Sequence, residues 1–359
     1  MSTPLHLVED RPATPFTSAG SRSPQWRLLV SAASAAHAAL AVQTVVHVHG
    51  VELVGLQRYV DPATDWHYSR CELDDAGATL AAEDLRRTLA PLAQLIAVDV
   101  PDIDFTSADS IRQTVHDARP DIVVNAAAYT AVDKAETEAE LAMKINGVAP
   151  GILAEEARKC GALMVHYSTD YVFDGTKETP YVETDAPNPL GEYGRTKLVG
   201  DEAVRAAGGA HLIFRLCWVY GARGSNFMLT MMRLAREREK LRVVSDQFGC
   251  PTWSRMIAEA TAFALKQALA SPDAEGLFGT YHLAAGGHTN WHSFAQAIID
   301  LMPAEGKKCA TVEAIPSSEY PTPVKRPAYS VLSCEKLKRT FGLRLPPWDE
   351  SLKRVLEQG

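Results

Sequence analysis

Apolar residues recur at helical spacing at Leu85, Leu89 and Leu92, then run almost unbroken through LIAVDV, Leu95 to Val100. The same switch between a helical period and a short apolar run repeats down the chain. Ile111 to Ala118 reads as a helix, DIVVNAAA (Asp121 to Ala128) as a strand, and Gly151 to Cys160 as a helix. Leu163 to His166 then reads as a strand that runs into the polar Ser168, Thr169, Asp170 and Tyr171. FRLCWVYG supplies a further strand, Phe214 to Tyr220. Asn226 to Lys240 reads as a helix with an apolar stripe at Phe227, Met231 and Leu234, opposite Arg233, Arg236, Glu237 and Arg238. Buried strands alternating with helices predict an α/β fold with a doubly wound parallel sheet. In such a sheet ligands sit beyond the carboxyl ends of the strands, which puts Thr169, Asp170 and Tyr171 where chemistry is expected.

Residues 1–75 do not share the pattern. MSTPLHLVEDRPATPFTSAGSRSPQW is rich in Pro, Ser and Thr and reads as irregular. Leu28 to Val48 carries no Asp, Glu, Lys or Arg, but its His37, Gln43, His47 and serines argue against a membrane span or signal segment. A short helix followed by a strand at Thr44 to His49 is the expectation there. SRCELDDA is too acidic for a central parallel strand.

Chemistry enters with EYGRTK. On a helix Tyr193 and Lys197 stand at i and i+4 and share one face. An ammonium beside a phenol favours phenolate and equips the pair for proton exchange, although Tyr and Lys at this spacing also occur as an ordinary surface pair. The 359 residues suffice for a full core, in two domains or one elaborate one. A net charge of -8 gives no electrostatic case for nucleic acid or an anionic membrane. The six cysteines, Cys71, Cys160, Cys217, Cys250, Cys309 and Cys334, form no metal-ligand spacing and suit a reducing cytosol.

The segments VVNAAAYTAVDKAE, HYSTDYVFDG, YGRTKLVGDEA, WVYGARGSNF, VVSDQFGCPT and YHLAAGG together resemble the extended short-chain dehydrogenase/reductase family, in its dTDP-4-dehydrorhamnose reductase branch. The resemblance spans roughly residues 84 to 335. It implies a Rossmann-like dinucleotide-binding domain over residues 76–245 and a smaller C-terminal substrate-binding lobe over 246–359, with some segments returning to the first domain. It implies NAD(P)H-dependent reduction of the 4-keto group of dTDP-4-dehydro-L-rhamnose, with Mg2+ as a further family cofactor, in a cytoplasmic monomer or homodimer.

By the same resemblance Tyr193 donates the proton, Lys197 lowers its pKa and holds the nicotinamide ribose, and Thr169 bonds the carbonyl or the Tyr oxygen. Asp170, Tyr171 and Trp218 contact the sugar. Asp104 and Phe105 line the adenine pocket, and Asn146 props the site. Asp99, ending the second strand, can accept ribose hydroxyls and so favours NADH, or it is an ordinary strand-end carboxylate. Ala126, Ala127 and Ala128 let the backbone lie close to the cofactor, as alanines in any tight strand end would. Lys325 and Arg326, in YPTPVKRPAYS, suit a substrate diphosphate or form a solvated basic loop. Tyr171 stands where dehydratase relatives carry Glu, which disfavours an elimination. Leu216, Cys217 and Tyr329 depart from the family's usual residues.

A dinucleotide fold opens with an apolar strand and a Gly-rich turn. Counting back from Asp84, the three expected glycines fall at Ala76, Thr79 and Ala82. Residues 1–75 either supply a substitute first strand or are foreign sequence joined to a reductase that has lost its own. A catalytically impaired reductase-like regulatory subunit, as in methionine adenosyltransferase, is the alternative from another class. Another nucleotide-sugar reductase or epimerase is the alternative within the enzymes.

Overall fold

The computed structural model describes residues 26–32, 52–61, 66–74, 96–99, 102–271 and 274–358. The chain divides into two compact units, Met1–Val98 and Asp99–Gln358. In the first, β1 (Trp26–Ala32), β2 (Glu52–Asp61) and β3 (Trp66–Asp74) form an antiparallel sheet in the order β1-β3-β2. Trp26 pairs with Leu73 and Asp61 with Trp66, with a register shift between Leu53 and Gly55. The acidic stretch is therefore antiparallel strand. The short helix expected from Leu28 onward is corrected, because Leu28 to Ala32 belong to β1. The expected strand Thr44 to His49, the stripe Leu85 to Leu92 and the glycine-free turn lie outside the described residues.

The second unit carries a four-stranded parallel sheet in the order β11-β6-β5-β4. Its strands are β4 (Ile122–Asn125), β5 (Leu163–Thr169), β6 (His211–Leu216) and β11 (Gly279–His282). Helix α1 (Ala108–Ala118) precedes β4; it starts at Ser107, whose hydroxyl accepts from Ser110 N at 3.3 Å, and stops at Arg119 in the left-handed region. After β4 come α2 (Ala139–Met143), a π turn (Lys144–Val148) and α3 (Ala149–Cys160), which Gly161 ends at φ 73°. β5 is buried along nearly its whole length, as a strand covered on both faces should be. Leu163, Val165, Leu212 and Phe214 pack against Ile257 and Ala264 of a later helix, Ser254–Ala270, and Tyr281 of β11.

Three further expectations are corrected by length. DIVVNAAA is strand only through Asn125, so Ala126 to Ala128 follow the strand end. Phe214 to Tyr220 is two strands, β6 and β7 (Val219–Tyr220), broken at Cys217 and Trp218, where Trp218 has φ 44°. The helix expected over Asn226 to Lys240 runs Phe227–Glu237, with Asn226 Oδ1 capping Leu229 N at 3.1 Å and Lys240 beginning the next strand. A second core joins Met228, Met231 and Ala235 of this helix to Leu241, Val312, Ile298 and Leu352. No helix among the described residues is long and apolar enough to cross a membrane.

LIAVDV is not a strand where it is described: residues 96–99 have no regular structure, and Ile96 is 48% exposed. The sheet shows why. Its order is one half of a doubly wound sheet, and the strand that would lie between LIAVDV and β4 has no counterpart among the described residues. Among the described residues β4 is therefore an edge strand, with Val124 50% exposed. An apolar strand with a free edge is an aggregation hazard. Replacing residues 1–83 by an apolar strand and a GxxGxxG turn joined at Asp84 should raise the melting temperature by several degrees and tighten NADPH binding at least tenfold. Thermal melts and nicotinamide fluorescence titrations check this; unchanged values in both would mean that the native segment already supplies the strand and the turn.

Candidate functional site

Thr169 ends β5 and caps the 3-10 turn Asp170–Val172: its hydroxyl accepts from Tyr171 N and donates to Asp170 Oδ1, both at 3.1 Å. Asp170 is buried, and its other oxygen accepts from the Cys217 thiol at 3.2 Å. Burial raises the Asp170 carboxyl to about 6, against the pull of hydrogen bonds from Ser330, Cys217 and Thr169. Burial likewise pushes the Cys217 thiol up, so it stays protonated and remains a donor. Cys217 in turn accepts from Cys250 N at 3.0 Å.

EYGRTK opens helix α4 (Glu192–Ala206). No side chain of its own caps it; Glu136 Oε1 reaches across to accept from Glu192 N at 2.8 Å, a carboxylate at the positive end of the helix. A Cβ on Gly194 would stand 2.1 Å from Tyr171 O, and one on Gly200 2.2 Å from Asn146 O, so only glycine lets the helix come this close. Asn146, buried in the π turn, accepts from Tyr129 N at 2.8 Å and donates to Tyr129 O at 3.0 Å and Thr196 Oγ1 at 3.3 Å. It thus ties the loop after β4 to the helix that carries Tyr193, at the kind of π bulge that recurs at functional sites.

Lys197 is 2% exposed and donates to Tyr167 O at 2.6 Å. Burial lowers its ammonium to about 8, with Asp201 opposing. The expectation that Lys197 lowers the Tyr193 pKa is corrected: the phenol is raised to about 12, by burial first and by Asp170, against a hydrogen bond with Thr169. It is therefore a protonated donor at neutral pH. Tyr171 lies edge-on to Tyr193 at 5.8 Å between centroids. Burial pushes its phenol well up, with Asp170 adding and the Arg326 guanidinium opposing.

Arg326 lies over the Tyr171 ring at 5.9 Å and pairs through Nη2 with Asp133 Oδ1 at 2.8 Å, while its Nη1 is buried without a hydrogen-bond partner. Lys325 is exposed and lines a shallow cavity with Tyr171, Tyr193, Gly191 and Pro327. Tyr171, Tyr193 and Lys325 thus share one small cavity, with Thr169 and Asp170 buried beside Tyr171 and Tyr193 and with Arg326 over the Tyr171 ring. Trp218 is joined to them through its neighbour Cys217 and lies flat on Trp291 at 3.5 Å and 8°.

Asp104 is turned into its own loop, its Oδ1 accepting from Thr106 N at 2.8 Å and Thr106 Oγ1 at 2.7 Å; these bonds lower its pKa. Phe105 beside it is half-buried. Asp99 is exposed, and its carbonyl accepts from Asp102 N at 2.6 Å. Ala126 is exposed and Ala127 and Ala128 half-buried just past β4, a small-residue strand end that leaves backbone accessible. Ser168 Oγ is buried without a partner. The accessible strand end at Ala126 to Ala128 suits close approach of a dinucleotide backbone. Mg2+ finds no donor set: among the described residues no cluster of three or more His, Cys, Asp or Glu could hold a metal ion.

Sequence reasoning missed Glu136 as a cap, Ser330 and Cys217 as donors to Asp170, and Trp291 as the partner of Trp218. It also missed a buried chain in which Asn125 Nδ2 meets His166 Nδ1 at 3.1 Å and Arg215 Nε meets Asp201 Oδ2 at 3.2 Å. His166 Nε2 stands 3.8 Å from Asp201 Oδ1, and burial holds this histidine neutral. All of these join residues distant in sequence. The only local signal was polar residues inside apolar strands, His166 and Arg215, whose burial requires partners.

The closeness at Gly194 makes Gly194→Ala a sharp probe. The added methyl should cost about 1–3 kcal/mol of stability as an overpacked contact. Because it displaces Tyr193, turnover should fall more than tenfold; urea melts and initial rates measure the two. Wild-type turnover in that variant would show that the helix can stand off from Tyr171 without harm.

Three comparisons with known proteins bear on this site. The family profile for the RmlD substrate binding domain matches residues 76–359. The dTDP-4-dehydrorhamnose reductase of Burkholderia thailandensis is 49% identical over 271 residues, 74% of this chain and 91% of that one. The enzyme of the same name from Escherichia coli K12 is 46% identical over 281 residues, 77% of this chain and 93% of its own. The crystal structure of the Bacillus anthracis dTDP-4-dehydrorhamnose reductase in complex with NADP superposes with a TM-score of 0.69 at 32% identity, covering 75% of this chain and 92% of that one.

Proposed function

This chain belongs to the RmlD substrate binding domain family, whose matched relatives are dTDP-4-dehydrorhamnose reductases, and on that premise we propose how its own residues carry the reaction. The chain is a nicotinamide-dependent oxidoreductase that reduces the 4-keto group of dTDP-4-dehydro-L-rhamnose to give dTDP-L-rhamnose. The observation that carries the site assignment is the convergence of Thr169, Tyr193 and Lys197 at the carboxyl end of β5, with Tyr193 protonated and Lys197 buried behind it. The relatives are reductases and this machinery is intact, so the regulatory-subunit reading is set aside.

The nicotinamide supplies the hydride. Tyr193 donates its phenolic proton to the oxygen that becomes the 4-hydroxyl, and Thr169, in hydrogen bond with Tyr193, orients the phenol for that transfer. Lys197 holds the nicotinamide ribose. Its positive charge also favours the phenolate left after transfer. Asp99, Asp104, Phe105 and Ala126 to Ala128 hold the rest of the dinucleotide. Asp99 suits the ribose hydroxyls of NADH, while the B. anthracis relative was solved with NADP, and the chain is assigned either form. Asp170, Tyr171 and Trp218 line the sugar. Lys325 and Arg326 take the diphosphate; the unpaired Arg326 Nη1 is a donor of the right kind.

Tyr193→Phe keeps the ring and removes the proton. The folded variant should lose most turnover and still bind NADPH; unchanged turnover would sink the assignment. In the wild type the Lys197 ammonium is needed in its charged form and loses its proton as pH rises through about 8. Turnover should therefore decline above about pH 8, which a rate profile from pH 6 to 10 reads directly.

Lys325 is exposed at the cavity mouth, and a diphosphate contact there is similar in the ground and transition states. Lys325→Ala should raise KM for the dTDP-sugar several-fold with kcat little changed. A pure kcat effect would remove Lys325 from the binding role.

A further inference from the structure

Trp218 holds a backbone conformation that a bulky residue rarely adopts, φ 44°, at the break between β6 and β7. Such a conformation persists only where the surroundings fix it. Here two short ladders do so. Val219 and Tyr220 pair in parallel with Thr252 and Trp253, and Thr252 N donates to Trp218 O at 3.1 Å. Phe248 and Gly249 pair antiparallel with Asn290 and Thr289. The second ladder delivers Trp291, the next residue, as the first of the helix Trp291–Leu301, whose cap is Asn290 Oδ1 accepting from Ser293 N at 2.7 Å.

The ladders bring the two indoles face to face, with centroids 3.5 Å apart and planes 8° apart. Gly249 closes a second side: a Cβ there would stand 2.4 Å from Trp218 Cε2 and 2.6 Å from Nε1. Behind Trp291 the stack is anchored in the second core, with Phe227 tilted against it at 4.5 Å and Phe294 against Phe227 at 5.6 Å. Trp218 itself stays half-buried, so part of the ring faces away from these supports.

We infer that Trp291 is the positioning residue of the sugar site: with Gly249 on the other side it clamps the Trp218 indole in place, so that the exposed edge of that ring forms a fixed border for the hexose. The inference rests on the proposed role of Trp218 as a sugar contact. A border fixed in advance spares the ordering cost of a free side chain. The effect belongs on KM for the nucleotide sugar, with NADPH affinity untouched.

The test uses the full chain, with Trp291→Leu, Trp291→Phe, Gly249→Ala and Trp218→Leu. KM and kcat are measured for the dTDP-sugar and Kd for NADPH, and far-UV circular dichroism follows the exciton couplet of the stacked indoles. Trp291→Leu should abolish the couplet and raise KM about tenfold with the NADPH Kd unchanged. Trp291→Phe should also lose the couplet but recover most of the wild-type KM, because a flat ring is restored. Gly249→Ala, which presses on the indole from its other side, should raise KM with both tryptophans still present, and it decides the matter if Trp291→Leu does not fold. A wild-type KM in a folded Trp291→Leu or Gly249→Ala protein whose couplet is lost, while Trp218→Leu raises KM, would overturn the positioning role. A wild-type KM in Trp218→Leu would instead remove Trp218 from the sugar site.

Discussion

The site depends on how closely one helix approaches the end of one strand. Lys197 is buried with its ammonium 2.6 Å from Tyr167 O, and Gly194 rides against Tyr171 O with no room for a methyl group. Burying an ammonium is costly unless it is bonded, and here the backbone carbonyl just before the polar end of β5 supplies the bond. That contact fixes the helix along its length and leaves Tyr193, one turn earlier, beside Thr169. Tyr193 and Thr169 are thus placed by a backbone contact.

The Thr169, Tyr193 and Lys197 cluster and the sheet beneath it were legible in the sequence because their signals are local. The apolar run at Leu163, the polar residues that end it and the Tyr193–Lys197 spacing each sit within a few residues, and the structure reproduces all three. Where the reading failed, the cause was nonlocal. LIAVDV has strand composition, but a strand exists only if a neighbour pairs with it, and the described sheet stops at β4. Phe214 to Tyr220 looks like one strand by apolar content. Nothing local announces that Trp218 turns left-handed, because what holds it there is contributed by residues 249 to 291.

The two halves of the expected dinucleotide fold consequently stand on different footing. The β4 to β11 half is held by helix caps, close glycines and a buried core that agree with one another. Agreement of this kind across levels marks a sequence that specifies its fold. The other half has acidic antiparallel strand where an apolar parallel one is required, and Ala76, Thr79 and Ala82 where a pyrophosphate turn needs glycine. The family match beginning at residue 76 falls at this same boundary.

Cys217 shows how a departure from the family pattern is absorbed. A hydroxyl at this position would donate to Asp170; the thiol does so instead, at 3.2 Å, and burial keeps it protonated so that it can. A thiol is a weaker donor than a hydroxyl. It stabilises the carboxylate less, in keeping with an Asp170 whose carboxyl stands at about 6, well above an ordinary aspartate. Asp170 accepts the Thr169 proton, and Thr169 is the hydrogen-bond partner of Tyr193. The charge on Asp170 therefore sets which way the Thr169 hydroxyl points. With Asp170 ionised, the Thr169 proton is committed to it, and the Thr169 oxygen faces Tyr193 as an acceptor. The phenol's own proton is then oriented by that acceptor, and the donor strength of residue 217 reaches the reacting group through two intervening hydrogen bonds.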